Sequence, residues 1–571
     1  MPKVAKARPI VLPFTLDILS GPGDDTLIRP RKPRKDPEQA GFSRPVCALD
    51  PHHFTGIDSN VQRFEQGDLA SIAGQSGSHQ GRGTRKRIVS QWGKACHYAH
   101  YPRKGVPEPF KEHEISKSSI NMVTIHRRFH LLTMATPNAP ETAHAKNLLA
   151  FIDQSPSPWH AVDTTRQYLE AAGFTRLLER ESWSLKAGLG YYVVRGDSSI
   201  IAFKVGTSKA PEAGYRILGA HTDSPGLRIK PQGHLREGRL VRLGVEVYGG
   251  PILSTFADRD LSLAGRVTLK GPSSLETHLV RFSQPLLRLP NLAIHMNRGV
   301  NEEGLKFNKQ TELPLILGQN LPEAPSQGLL LNQVAQQLKV QAESILSVEL
   351  NVYDTQPGSL WGVHEEFIAT RQIDNLSSCH AALLALISAK NTPQTQVIAL
   401  FDHEEIGSES HQGAQGSFLG DVLSRITAGD AEDARRALSR SLLISADAAH
   451  AFHPNFAGAY EPLHHVQMNE GPALKINANQ RYATDGPRAA LFRDLARRLD
   501  LPAQTYVHRT DLGCGSTIGP IASARLGIPT IDCGVPMWAM HSIRESAGVR
   551  DQLAFKRLLQ GFLEEELQIE E

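Results

Sequence analysis

Three short, wholly apolar runs, at residues 217–220, 397–401 and 442–444, each lead into residues of metal-binding type. This feature constrains the fold more than any other in the chain. A strand covered on both faces has such a continuous apolar texture, whereas a half-exposed strand alternates apolar and polar residues. Sheets of fully covered strands collect their functional groups at the carboxyl ends of the strands. The first run leads into His221-Thr222-Asp223, the second into Asp402-His403-Glu404-Glu405 and the third into Ser445-Ala446-Asp447. The expected class is therefore α/β, with acids and imidazoles delivered to one edge of a covered sheet.

Two more segments carry residues of the same types. Asp374 precedes an expected helix at 375–390, whose apolar face would carry Leu376, Cys379, Leu383, Leu386 and Ile387. His541 lies just before Ser542-Ile543-Arg544-Glu545, which reads as a capping box opening a helix. Taken singly, each segment has an ordinary reading. His221 is a surface histidine beside a turn, Asp374 a helix cap, and Glu404-Glu405 acids of a first helical turn. Taken together, two His, two Asp and one Glu suit a pair of borderline cations in an oxygen and nitrogen shell. A short carboxylate such as Asp374 could bridge two cations about 3.5 to 4 Å apart. Asp223 could accept the other ring N–H of His221 and fix its tautomer. Of the adjacent acids, Glu405 could bind metal while Glu404 handles protons. His450 and His453, just past Asp447, read as structural or supporting residues.

Composition narrows the class without adding chemistry. The chain has 571 residues, 40% hydrophobic and 21% charged, and so is long enough for two or three globular domains. Its net charge of +3 conceals an asymmetry: residues 1–133 carry 21 of the 62 basic and 12 of the 59 acidic residues. The main body is mildly acidic, which argues against a nucleic-acid or anionic-membrane partner. Its five cysteines are scattered without a Cys-x-x-Cys pair, as expected for a reducing cytoplasm rather than for a disulfide framework or a thiolate zinc site. No apolar stretch reaches the roughly 18 to 20 residues of a membrane span. Residues 1–133 are punctuated by Pro, Gly and basic clusters. Such a segment is compatible with a nucleic-acid arm, a targeting leader or a functionless upstream extension; the last is expected, with Met134 as the natural start.

From Met134 the texture becomes α/β, with expected helices at 142–152 and 161–172. A stretch of about 140 residues then alternates as strands do, at 240–248 and 261–269, and reads as an inserted β-rich domain. The expected division is a basic extension over 1–133, a catalytic part over 134–225, an insertion over 226–364 and a second catalytic part over 365–571.

Several motifs together are specific enough to suggest a family. They are Ser155-Pro156-Ser157-Pro158, Gly219-Ala220-His221-Thr222-Asp223-Ser224-Pro225, Asp258-Arg259-Asp260-Leu261-Ser262, Asp374-Asn375, Asp402-His403-Glu404-Glu405-Ile406-Gly407 and Met540-His541-Ser542-Ile543-Arg544-Glu545. Through them residues 134–571 resemble the aspartyl aminopeptidase family of zinc exopeptidases. The resemblance implies a three-layer α/β catalytic domain with an inserted dimerisation domain. It implies one metal held by His221 and Asp447, another by Glu405 and His541, and Asp374 bridging both, with zinc expected and cobalt or manganese compatible. It implies Glu404 as general base acting on peptides with an acidic amino terminus. In the stretch 474–482, Lys475 would meet the substrate side-chain carboxylate and Tyr482 would hydrogen-bond the substrate or the tetrahedral intermediate. His295 would reach a partner subunit's active site, in a dodecamer built from dimers. Residues 1–133 have no counterpart in the resemblance, and the run before Asp258 is less aromatic than it implies. A broad-specificity aminopeptidase or amide deacylase, and a noncatalytic oligomeric binding protein, are the competing readings.

Overall fold

The computed structural model describes residues 136–319 and 328–567. The basic extension at 1–133 and the start expected at Met134 lie outside those residues. A nine-stranded sheet organises the donors. Its spatial order is Thr175–Arg176, Gly190–Arg195, Ser199–Lys204, Thr395–Phe401, Tyr215–His221, Leu442–Ala446, Thr530–Gly534, Ala473–Ile476 and Gln504–Val507. The four strands from Thr395–Phe401 to Thr530–Gly534 run parallel, so their carboxyl ends share one edge. Phe401 lies opposite His221, and Ser445 opposite Gly219.

Alternate side chains along these strands leave opposite faces, which explains the unbroken apolar runs. Ile398, Leu400, Leu218 and Ile444 enter a core shared with helices Ala139–Gln154, Ile373–Ser388 and Val549–Glu564. Val397, Ala399, Phe401, Ile217 and Leu443 enter a second core, against helices Phe418–Thr427 and Ile518–Leu526. Helices therefore cover both faces, and the catalytic fold is a three-layer α/β arrangement. The first helix begins earlier than its apolar periodicity suggests. Asn138 and Glu141 form a reciprocal cap at 3.0 and 2.8 Å, and Pro140 occupies the first turn.

A six-stranded sheet lies between the two halves of the chain that build the first. Its order is Leu275–Arg281, Leu261–Lys270, Ile345–Asp354, Gly226–Glu237, Leu240–Tyr248 and Leu315–Gln319, all paired antiparallel. It has its own core, in which Leu263, Val267 and Leu243 pack with Leu330 and Val334 of helix Gly328–Leu338. Leu275, on the edge strand, is 67% exposed.

The capping box expected at Ser542 is absent. Glu545–Gly548 is instead a strand of a five-stranded sheet that also contains Ser359–Trp361, Phe367–Thr370, Pro536–Trp538 and Ala449–His450. The Glu545 backbone pairs with Thr370, and its buried carboxylate accepts from the backbone N–H groups of Asp374 at 3.1 Å and His541 at 2.7 Å. Long-range pairing thus overrides the local Ser-x-x-Glu signal, and the last helix starts only at Val549.

Candidate metal centre

All five expected donors meet at the carboxyl edge of the nine-stranded sheet. His221 ends the strand Tyr215–His221, and Asp447 directly follows Leu442–Ala446. Glu404 and Glu405 lie in the 3-10 turn Glu404–Ile406 just beyond Thr395–Phe401. Asp374 stands in the first turn of Ile373–Ser388, where no side-chain hydrogen bond caps the helix, so its carboxylate does not serve as the cap of its ordinary reading. His541 is in the turn before Glu545–Gly548 and has a left-handed φ of 71°.

Two groups of donors share Asp374, and a third brings ligand atoms of His221, Glu404 and Glu405 equally close together. Ligand atoms of His221, Asp374 and Asp447 lie within 4.8 Å of one another, and so do those of Asp374, Glu405 and His541. His221 Nε2 is 3.4 Å from Asp374 Oδ1 and 3.9 Å from Asp447 Oδ2. His541 Nε2 is 3.5 Å from Asp374 Oδ2 and 3.4 Å from Glu405 Oε2. Each histidine thus faces a different oxygen of one carboxylate.

The residues fit a pair of cations. Asp374 Oδ1 and Glu405 Oε1 are buried without a hydrogen-bond partner among the described residues, although buried carboxylate oxygens are normally satisfied. Burial, reinforced by the Asp447, Asp223 and Asp374 carboxylates against the opposing pull of His221, pushes Glu404 up to about 8. Burial and Asp374 likewise push Glu405 upward. So many acids held together call for positive charge, and the mixed oxygen and nitrogen set matches a borderline divalent ion.

The contacts of Asp223 differ from those expected. The nearest partner of His221 Nδ1 is the Asp223 carbonyl oxygen at 3.0 Å, with carboxylate Oδ1 farther away at 3.4 Å. The buried Asp223 carboxylate accepts from the backbone N–H groups of Glu404 at 3.2 Å and Glu405 at 3.1 Å, and from the Tyr248 hydroxyl at 2.7 Å. It therefore holds the turn that presents Glu404 and Glu405 as well as lying beside His221. Glu545 does the same for Asp374 and His541. Sequence reading assigned no site role to either Tyr248 or Glu545. The Glu545 signal was masked by the capping pattern, and Tyr248 sits at the end of an otherwise ordinary alternating strand.

The residues expected to bind substrate are less tightly grouped. Lys475 is 2% exposed, and its ammonium donates to the Ala448 carbonyl at 2.8 Å and lies 3.2 Å from Asp447 Oδ1. It also lies 5.1 Å from the ring centre of the buried Tyr482. His450, half-buried with its ring centre 5.7 Å from that of Tyr506, lies nearby. His295 is on an exposed loop, with Leu292, Ile294 and Met296 also exposed.

Comparisons with known proteins identify the family. The family described as "Aminopeptidase I zinc metalloprotease (M18)" matches residues 151–563. A "Probable M18 family aminopeptidase 2" of Stutzerimonas stutzeri is 48% identical over 419 residues, covering 73% of this chain and 97% of its own. The protein of the same description in Pseudomonas paraeruginosa is 47% identical over 420 residues, with the same coverage. Among solved structures, that of the Ape4 and Nbr1 complex superposes with a TM-score of 0.72 at 37% identity, covering 74% of this chain and 86% of that one. Chaetomium thermophilum mApe1 gives a TM-score of 0.67 at 33% identity, covering 74% and 98%. The chain therefore belongs to M18, the aspartyl aminopeptidase family of zinc metalloproteases, and is a metalloaminopeptidase.

Proposed function

We propose that this enzyme removes amino-terminal Asp or Glu residues from peptides at a centre of two divalent cations. The observation that carries the reading is the convergence of two donor groups on Asp374, with Glu404 beside them. His221 and Asp447 would hold one ion, Glu405 and His541 the other, and Asp374 would bridge them. Bound there, the cations would polarise the scissile carbonyl and make a water acidic enough to attack at neutral pH. Glu404 takes a proton from the attacking water and returns it to the leaving amine. Asp223 keeps Glu404 and Glu405 in place through their backbone N–H groups. Zinc is the proposed ion, with cobalt and manganese compatible with the same donors.

Lys475 is the proposed partner of the substrate's acidic side chain, with Tyr482 beside it. Its present engagement with Asp447 favours a second reading, in which it only neutralises that carboxylate and the enzyme accepts many amino-terminal residues. Turnover of Asp, Glu and Leu anilides by the zinc-loaded enzyme separates the two. The acid-specific reading expects Lys475→Met to lower turnover of Asp and Glu far more than that of Leu. An equal fall on all three substrates overturns it. Free-amine against N-acylated substrates tests the deacylase alternative in the same assay.

A homo-oligomer belongs to the same proposal. It is supported by the similarity to the structure of the S. cerevesiae mApe1 dodecamer, at TM-score 0.65 and 27% identity. The segment 226–364 is proposed as the dimerisation module, between catalytic parts 134–225 and 365–571. His295 is proposed to reach a partner's site, with support from the exposed apolar residues around it. A cytoplasmic setting is also proposed. Cys379, Cys514 and Cys533 are free, and no described helix is long and apolar enough to cross a membrane.

A further inference from the structure

The chain leaves the metal centre after Asp223 and comes back to it 25 residues later. Strand Gly226–Glu237 begins just beyond Asp223, and its antiparallel partner Leu240–Tyr248 sets Tyr248 opposite Gly226. The next residues then touch the segments carrying the donors. The Tyr248 hydroxyl donates to Asp223 Oδ2 at 2.7 Å. Gly249, at φ +66°, is packed so closely that a Cβ there would lie 3.2 Å from Glu405 Cβ and 3.3 Å from the Glu405 carbonyl oxygen. The Gly250 carbonyl oxygen lies 3.1 Å from His541 Nδ1. An Nδ1–H donated to that carbonyl leaves Nε2, the nitrogen facing Asp374 and Glu405, free to bind a cation.

We infer that Tyr248-Gly249-Gly250 is a positioning segment, through which the six-stranded sheet sets the geometry of the metal centre on the other sheet. Tyr248 fixes the rotation of the Asp223 carboxylate, which otherwise receives only the two backbone N–H groups of Glu404 and Glu405 and the more distant His221 ring. A charge-assisted hydrogen bond of this kind is both short and directional. The tyrosine is itself held, since it is 8% exposed and the Arg228 guanidinium stacks 3.7 Å from its ring centre. Gly249 admits the backbone to Glu405, a place where a side chain would meet both a close neighbour and a left-handed φ. Gly250 selects the ring nitrogen that His541 presents. Groups that orient metal ligands typically change affinity or activity by about 10 to 100-fold when removed.

The inference rests on the reading of the five donors as cation ligands, and two arms of the test keep the two apart. In the first, the zinc-loaded full-length protein is titrated with a chromogenic chelator, with no peptide present. Tyr248→Phe is expected to release zinc at about tenfold lower chelator than the parent, and Gly249→Ala at lower still. In the second, steady-state turnover at saturating zinc should show kcat for Y248F down about 10 to 100-fold with KM within about twofold. Combining Y248F with Asp223→Asn should cost no more than Asp223→Asn alone, because the two act as one unit. Full additivity, or a Y248F enzyme with parental kcat and parental zinc retention, overturns the inference. A Y248F protein that only melts earlier, with unchanged kcat per folded molecule, overturns it as well. If the parent cleaves no aminopeptidase substrate yet Y248F still loses zinc more readily, the functional reading fails and this inference stands.

Discussion

The nine-stranded and six-stranded sheets solve different problems with the same strand geometry. The parallel strands of the first are buried on both faces and end together, so residues 221, 405 and 447, far apart in sequence, arrive at one edge. The antiparallel strands of the second include the hairpins Gly226–Glu237 with Leu240–Tyr248 and Leu261–Lys270 with Leu275–Arg281, carry their own core and leave Leu275 exposed on the edge strand. A parallel sheet therefore gathers chemistry from distant sequence, while an antiparallel one returns the chain to where it started. The candidate metal centre draws on both properties, since His221, Glu405 and Asp447 come from the first and the Tyr248 contact from the return of a hairpin in the second.

The largest expected effect lies wholly at the edge of the nine-stranded sheet. Glu404→Gln should lower kcat by about 10² to 10⁴-fold while the protein keeps its full complement of bound metal. Rate measurements paired with metal analysis check this, and near-parental turnover would remove Glu404 from the proposed role. Next in size, Leu400→Ala and Leu263→Ala each empty a fully buried site, one in each sheet. Each should cost about 2 to 5 kcal/mol, as for other buried Leu-to-Ala changes. Chelator-resolved denaturant unfolding sharpens the contrast: L400A should loosen metal together with stability, whereas L263A should act on the six-stranded sheet first. Equal loss of metal in both would show that the two sheets share one cooperative core.

A smaller effect comes from the helices covering the nine-stranded sheet. His144 and the fully buried His380 stand with ring centres 5.1 Å apart. Burial, with the Lys556 charge nearby, lowers His144 to about 4, and burial holds His380 well below its ordinary value. The folded state thus binds fewer protons at these rings than the unfolded chain does. Their contribution is intact above about pH 6.5 and is lost as the pH falls from there toward 4, by up to about 3 kcal/mol for His144. His144→Gln should flatten that part of the stability profile measured by denaturant unfolding between pH 7 and 4. An unchanged slope would assign the acid sensitivity to other groups.

Much of this architecture was legible in the sequence because burial on both faces leaves an unmistakable texture. Residues 217–220, 397–401 and 442–444 announce covered strands, and the donor types that follow them announce the site. Glu545 was misread because a capping box is a four-residue pattern, whereas its actual partners, Thr370, Asp374 and His541, are set by tertiary pairing. The nearer contact of His221 with a backbone carbonyl was equally hidden, since composition reports side chains and not the path of the main chain. Tyr248 could be placed only once the register of its hairpin with Gly226 was known.

The alignment of His221 with Phe401 across neighbouring strands has one more consequence. Side chains alternate between faces, so a slip of one residue during folding would turn the histidine away and leave the donor set incomplete. Cations that bind the complete set preferentially stabilise the correctly registered chain by mass action. Metal loading during refolding would then favour the correctly registered pairing over a slipped one.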